Sequence, residues 1–153
     1  MDEVVLRWSR AWPFADLSRN PNLWFTRGLY AFLTPTPLEV LYIGMTYDQR
    51  FSTEIARHLG PLDRGIPVVS RADAVGRWIY KKFTVNPYAK IAHIELANGE
   101  RISRQLVEDV EAALINIHTP PANLRSMRAY YGRAIRIRHK GYKKPFEAEH
   151  VMR

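Results

Sequence analysis

Residues 28–33 and 38–46 are both rich in aromatic, aliphatic and β-branched side chains, and the residues between them include Thr34-Pro35-Thr36-Pro37. Such stretches favour strands. The two prolines remove backbone donors and fix φ, so neither a continuous strand nor a helix can run through the connection. A turn joining two antiparallel strands is the expected result. On such a hairpin Tyr30 and Tyr42 can meet across the strands.

Periodicity places the other elements. Phe51, Ile55 and Leu59 are four apart, which makes one apolar face of a helix that Gly60-Pro61 ends. Residues 61–71 read as a loop. A second helix over 72–83 aligns Val75, Trp78, Ile79 and Phe83, and Asn86-Pro87 closes it. Residues 89–96 alternate as a third strand, followed by the tight-turn signal Asn98-Gly99. A long helix over 102–118 carries Ile102, Leu106, Val110, Ala113, Leu114 and Ile117 as one stripe, with Glu111 at the margin. A carboxylate there reaches a cleft without entering the core.

The expected fold class is α/β in mixed α+β order: a small, mainly antiparallel three-stranded sheet flanked by helices. Residues 1–25, with Trp8, Trp12 and Trp24, read as a short helix or arm packed on a domain of residues 26–125. That domain carries an insertion at about 61–88, and residues 126–153 form a basic C-terminal strand or tail.

A chain of 153 residues buries one core. It has no apolar run near the roughly 18 residues of a membrane helix, and Asp2 and Glu3 stand where a signal peptide would be basic. The expectation is an intracellular, cytoplasmic protein with no membrane partner. Without cysteine there is no disulfide, thiol nucleophile or thiolate metal site, so a metal must be held by oxygen or histidine.

The formal charge of +8 favours a polyanionic partner. Much of the excess lies in Arg125, Arg128, Arg133, Arg136, Arg138, Lys140, Lys143 and Lys144, with no acidic residue between positions 124 and 146. Ile135-Arg136-Ile137-Arg138 alternates, so a strand there turns isoleucines to the core and arginines to one outer face. Tyr130, Tyr131 and Tyr142 are nearby stacking groups. Nucleic-acid contact is the expected use of this surface; a solvated edge strand with solubilising charges is the alternative.

The hairpin strands carry Gly28-Leu29-Tyr30 and Tyr42-Ile43-Gly44, and far downstream come Glu111, the apolar pair Leu114-Ile115, Pro120 and Asn123. In order and spacing this set resembles the GIY-YIG nuclease family, whose members carry a helix glutamate, an apolar pair three and four positions later, then a proline and an asparagine. The likeness spans roughly residues 26 to 125.

That resemblance implies an endonuclease hydrolysing DNA phosphodiester bonds, RNA not excluded, with one divalent ion, Mg²⁺ or Mn²⁺. It implies Glu111 as the metal ligand, against an ordinary exposed helix glutamate like Glu108. Mg²⁺ needs only one or two protein carboxylates because it keeps most of its waters. Tyr30 is then the general base, Tyr42 a ligand for phosphate or water, and Asn123 a brace. A tyrosine of ordinary pKa, about 10, needs nearby cations or a relay to act as a base, and His58, ordinarily near 6.5, is the candidate relay. Members of the family usually carry an arginine on the first helix, often with a histidine one turn later. Here Arg50 precedes His58 by eight residues, about 12 Å along a helix axis.

Arg50 is the expected phosphate clamp and Arg57 its rival, with Arg57 expected to point away from His58. His93, His139 and His150 form no spaced metal pair. The alternative from another class is a non-catalytic nucleic-acid-binding module that keeps the fold and the basic surface. A double-strand cut by so small a domain needs two copies or two sequential nicks, which leaves a homodimer open.

Overall fold

Val4, Leu6 and Trp8 are buried and the residues between them are not, which is the period of a strand, and Asp2–Trp8 forms β1. In this computed structural model, residues 1–96, 99–124, 130 and 132–152 are described. Next come β2 (Trp12–Pro13), two 3-10 turns, β3 (Gly28–Leu33), β4 (Val40–Thr46) and α1 (Phe51–Leu59). A short hairpin of β5 (Leu62–Asp63) and β6 (Ile66–Pro67) leads through a 3-10 turn to α2 (Ala74–Lys82) and β7 (Tyr88–Leu96). The chain ends with α3 (Arg104–His118), a 3-10 turn at Pro121–Asn123, β8 (Ile135–Gly141) and β9 (Glu149–Met152).

The class is mixed α/β as expected, but the sheet is larger than three strands. Its order is β4-β3-β7-β1-β8-β9, with β2 also paired to β7. All pairings are antiparallel except β1 with β8. Three readings of the sequence differ from the structure. Residues 2–8 are an interior strand rather than a helix or arm, because β7 and β8 take both of their edges. The 135–141 segment turns Ile135 and Ile137 inward as expected, yet it lies between β1 and β9 and is no edge strand. The 61–71 stretch holds a small hairpin rather than only loop. Asn98 of the expected Asn98-Gly99 turn, together with Arg125, Arg128 and Tyr131, lies outside the described residues.

The helix limits follow from their caps. Ser103 accepts from the Leu106 N–H and starts α3, and Asp73 accepts from the Gly76 N–H and starts α2. Gly60, at φ 83°, ends α1 in a conformation that glycine adopts without strain.

All six residues of β3 are buried, since helices cover both faces there. On one face Leu29, Ala31, Leu33 and Ile43 pack with Leu106, Val110, Ala113 and Leu114 of α3. On the other, Tyr30, Phe32 and Leu41 pack with Phe51, Ile55 and Leu59 of α1 and with Ile79 of α2. This double cover explains why residues 28–33 read as a continuous apolar run. It also leaves β4 as the strand at whose outer edge the two helical layers approach each other. No helix among the described residues is long and apolar enough to cross a membrane.

Candidate active site

Side chains from α3 and the following turn close the outer edge of β4. Asn123 is buried, its Oδ1 accepting from the Ile43 N–H at 2.8 Å and its Nδ2 donating to the Ile43 carbonyl at 3.0 Å. One residue pair further along, the Glu111 carboxylate accepts from the Met45 N–H. An exposed strand edge would leave these backbone groups open, and here an amide and a carboxylate take them. Asn123 therefore braces the hairpin.

On the α1 side of the same hairpin, Tyr30 lies across Gly44 and brings its hydroxyl to 2.9 Å from His58 Nε2. His58 Nδ1 is 2.6 Å from Asp73 Oδ2, and Arg57 Nη2 is 3.3 Å from His58 Nε2. A guanidinium only donates, so Nε2 is the accepting nitrogen and the imidazole proton sits on Nδ1, donated to Asp73. Tyr30 then donates to Nε2, giving a chain from Tyr30 through His58 to Asp73. The Tyr42 ring stands 5.0 Å from that of His58 and 6.3 Å from that of Tyr30, centroid to centroid.

The electrostatics of the cluster follow from burial. Loss of water pushes the Tyr30 phenol far above its ordinary value, with Tyr42 adding to the shift. Tyr42 is pushed up to about 12 by burial first and by the Glu111 charge second. His58 is lowered by burial, against the pull of the Asp73 carboxylate, so it is neutral at neutral pH and its Nε2 lone pair is the acceptor for Tyr30. Glu111 is pushed up to about 7 by burial and then by Glu108, and the Met45 hydrogen bond only partly offsets this. Because Glu111 acts on both phenols, its carboxylate and the Tyr30 and Tyr42 hydroxyls share one electrostatic neighbourhood.

The two arginines change places relative to expectation. Arg50 lies before the first residue of α1 with its guanidinium over the Trp24 ring, 5.3 Å from the centroid. It makes no contact with the tyrosine–histidine chain among the described residues. Arg57 does not point away from His58: it bonds Glu54 at 2.8 Å, lies 3.5 Å from Asp73, and keeps its side chain 57% exposed. Asp73 and Glu54 are members of the cluster that the sequence reading missed. The available signal for Asp73 was its place as a cap one residue ahead of a helix.

The three described arginines of the basic C-terminal run are engaged within the fold. Arg133 pairs with Asp109 at 2.8 Å and with Asp2 at 3.1 Å. Arg136 pairs with Glu3 at 2.9 Å and Glu149 at 3.1 Å, and Arg138 lies 3.7 Å from Glu149. The Arg136 and Arg138 pairs stitch β1, β8 and β9 together and Arg133 ties the start of that segment to α3 and β1, which qualifies the expectation of a free phosphate-binding face. Lys140, Lys143 and Lys144 are exposed. Lys90 is buried and donates to the carbonyls of Tyr142 and Lys144, which fixes the loop after β8.

A second buried polar group sits at the far side of the sheet. The Trp8 indole donates to His139 Nδ1 at 2.9 Å, and His139 Nε2 is 2.9 Å from His150 Nδ1. An indole N–H only donates, so the His139 proton is on Nε2 and passes to His150 Nδ1. That tautomer offers no lone pair on His139 to a metal. His93 lies between the Phe25 and Phe51 rings.

Comparison with protein-family models, with curated proteins and with solved structures gives no match to this chain.

Proposed function

We propose that this chain is a metal-dependent endonuclease of GIY-YIG type, hydrolysing DNA phosphodiester bonds at the outer edge of β4. The observation that carries the reading is the Tyr30–His58–Asp73 chain, with the Tyr42 ring against His58, on the same hairpin whose outer edge takes the Glu111 carboxylate at the Met45 N–H. In this reading the β4-β3-β7 part of the sheet, with α1 and α3, is the nuclease unit, and β1, β8 and β9 extend it. DNA is the partner, in a cytoplasmic setting, with a second copy or sequential nicks for a double-strand cut.

No group of three or more metal-ligating side chains exists among the described residues. Mg²⁺ or Mn²⁺ does not require one. The half-buried Glu111 carboxylate, held at the edge of β4 by the Met45 N–H, fits a hydrated divalent cation, which would use water for its other positions. Glu111 would hold the ion, which when bound supplies positive charge against the charge that develops on the phosphate.

The rest of the chemistry falls to the chain's own groups. An attacking water gives its proton to Tyr30 as Tyr30 passes its own to His58 Nε2. The histidine ends with the proton and Tyr30 stays a neutral phenol, because burial disfavours a phenolate there while the Asp73 charge favours the imidazolium. Asp73 holds the Nδ1–H and stabilises that imidazolium. Arg57, half exposed at the His58 edge, takes the clamp role first assigned to Arg50. Asn123 holds the backbone of Ile43 still while this occurs.

The test is direct. Purified protein with Mg²⁺ or Mn²⁺ should nick DNA, and Glu111→Ala should abolish cleavage while leaving DNA affinity intact. Cleavage that survives this substitution removes Glu111 from the reaction.

One observation favours the second reading, a binding module without catalysis. The residue one turn before His58 is Glu54, which holds Arg57, where the family pattern would put an arginine. That reading predicts binding with no cleavage of any DNA form under either metal.

A further inference from the structure

We propose that the cavity beside Tyr42 receives an unpaired nucleobase, so that the chain prefers single-stranded or locally unpaired DNA to continuous duplex. The inference rests on the reading above for the position of the scissile phosphate; the binding itself needs no turnover. The cavity holds about 480 Å³ and is lined by Tyr42, Val75, Trp78, Pro121, Ala122 and Leu124, with no charged side chain in its wall among the described residues. This lies within the range of roughly 300–1,000 Å³ typical of pockets for small organic groups.

Three observations choose the occupant. Tyr42 belongs both to the cavity and to the cluster around His58, so whatever fills the cavity lies next to the reacting groups. Trp78 is only partly buried and Leu124 is 55% exposed, which offers an indole and an apolar rim at an open mouth. Every base has a π face that can stack on such a ring. The third observation is charge. Lys81 and Lys82, both exposed, stand three and four residues after Trp78 on α2 and so share its helix face. The Arg57 guanidinium is half exposed beside His58. An uncharged aromatic slot flanked by cations matches a nucleotide, which is anionic along its backbone and apolar across its base. A base inside a duplex stack cannot enter, and its extrusion costs least where it is already unpaired.

Binding is measured by fluorescence anisotropy in EDTA, so that no strand is cut, with a labelled oligothymidine and with a fully paired duplex of the same length. Wild-type protein should bind the single strand more tightly. Trp78→Ala should weaken single-strand binding about ten-fold and change duplex affinity by less than about two-fold, and Trp78→Phe should restore most of the loss. Leu124→Glu, at an exposed position outside the core, places a carboxylate at the mouth and should weaken single-strand binding as well. Equal affinity for the two DNAs overturns the proposal. So does single-strand affinity unchanged in both Trp78→Ala and Leu124→Glu. Trp78-dependent single-strand binding by a protein that cuts no DNA with Mg²⁺ or Mn²⁺ supports the nucleobase site and overturns only the hydrolytic reading. Cleavage by Trp78→Ala at the wild-type rate on every DNA form overturns the nucleobase site and leaves the hydrolytic reading standing.

Discussion

Gly44 and Tyr30 are in direct register on neighbouring strands, and a Cβ on Gly44 would stand 2.3 Å from Tyr30 Cζ and 2.4 Å from its hydroxyl oxygen. The phenol has no room to retreat, because Phe32, Phe51, Tyr42 and His58 surround it. Gly44→Ala should therefore destabilise the fold by about 1–3 kcal/mol, the usual range for overpacking, and break the Tyr30–His58 hydrogen bond. Urea unfolding of the variant against wild type reads the first effect. The position of the His58 ring-proton resonances in NMR reads the second.

Asp73 pulls the His58 pKa up while burial pushes it down. If neutral His58 receives the proton, cleavage should rise with pH through an inflection below the ordinary histidine value. Asp73→Asn removes the charge that favours imidazolium, so the inflection should move to still lower pH and the plateau rate should fall. A pH–rate profile of the two proteins checks both signs. An inflection moved upward in the variant would contradict the assignment.

The Trp8–His139–His150 chain predicts acid sensitivity that has nothing to do with catalysis. Burial and the neighbouring histidines hold His139 down to about 3 and His118 down to about 4. In the unfolded chain both titrate near 6.5, so between that value and the folded one the unfolded state binds more protons. Stability is then complete above about pH 6.5 and falls as the pH drops, by up to ~1.4 kcal/mol per pH unit for each proton taken up. Urea midpoints across this window should show the slope, and His139→Phe should flatten it.

Arg136 and Lys140 lie on the same strand and should separate by experiment. Arg136 bridges Glu3 and Glu149, so Arg136→Gln should lower stability by up to about 1 kcal/mol, as partly exposed ion pairs do. Lys140 is exposed, so Lys140→Gln should leave stability unchanged. If it meets DNA, the slope of log affinity against log salt should fall by about one. Denaturation curves and a salt titration of binding distinguish the two residues.

The parts of this fold that are legible in sequence are those with local signals. Two prolines mark the β3–β4 turn, four-residue spacing marks α1, and the apolar stripe of α3 puts Glu111 at its margin. The wide sheet has no such signal. β1 alternates over only seven residues, and its partners lie in residues 88–96 and 135–141. Asp73 falls inside the helix read over 72–83, whereas in the structure it caps α2, and its bond to His58 is set by how α1 and α2 pack. Arg57 shows the limit of a helical wheel. Adjacent residues point about 100° apart, yet a long side chain held by Glu54 folds back to His58 Nε2.

β1 is held between β7 and β8, the latter supplied by residues 135–141. During synthesis its second edge therefore stays open until residues 135–141 have left the ribosome. That nascent edge, with Val4 and Leu6 beside it, is where a sister chain would pair wrongly or a chaperone would bind. Arrival of β8 closes it, so the sheet is completed only after residues 135–141 emerge, and slowing translation near residue 130 should prolong the vulnerable interval.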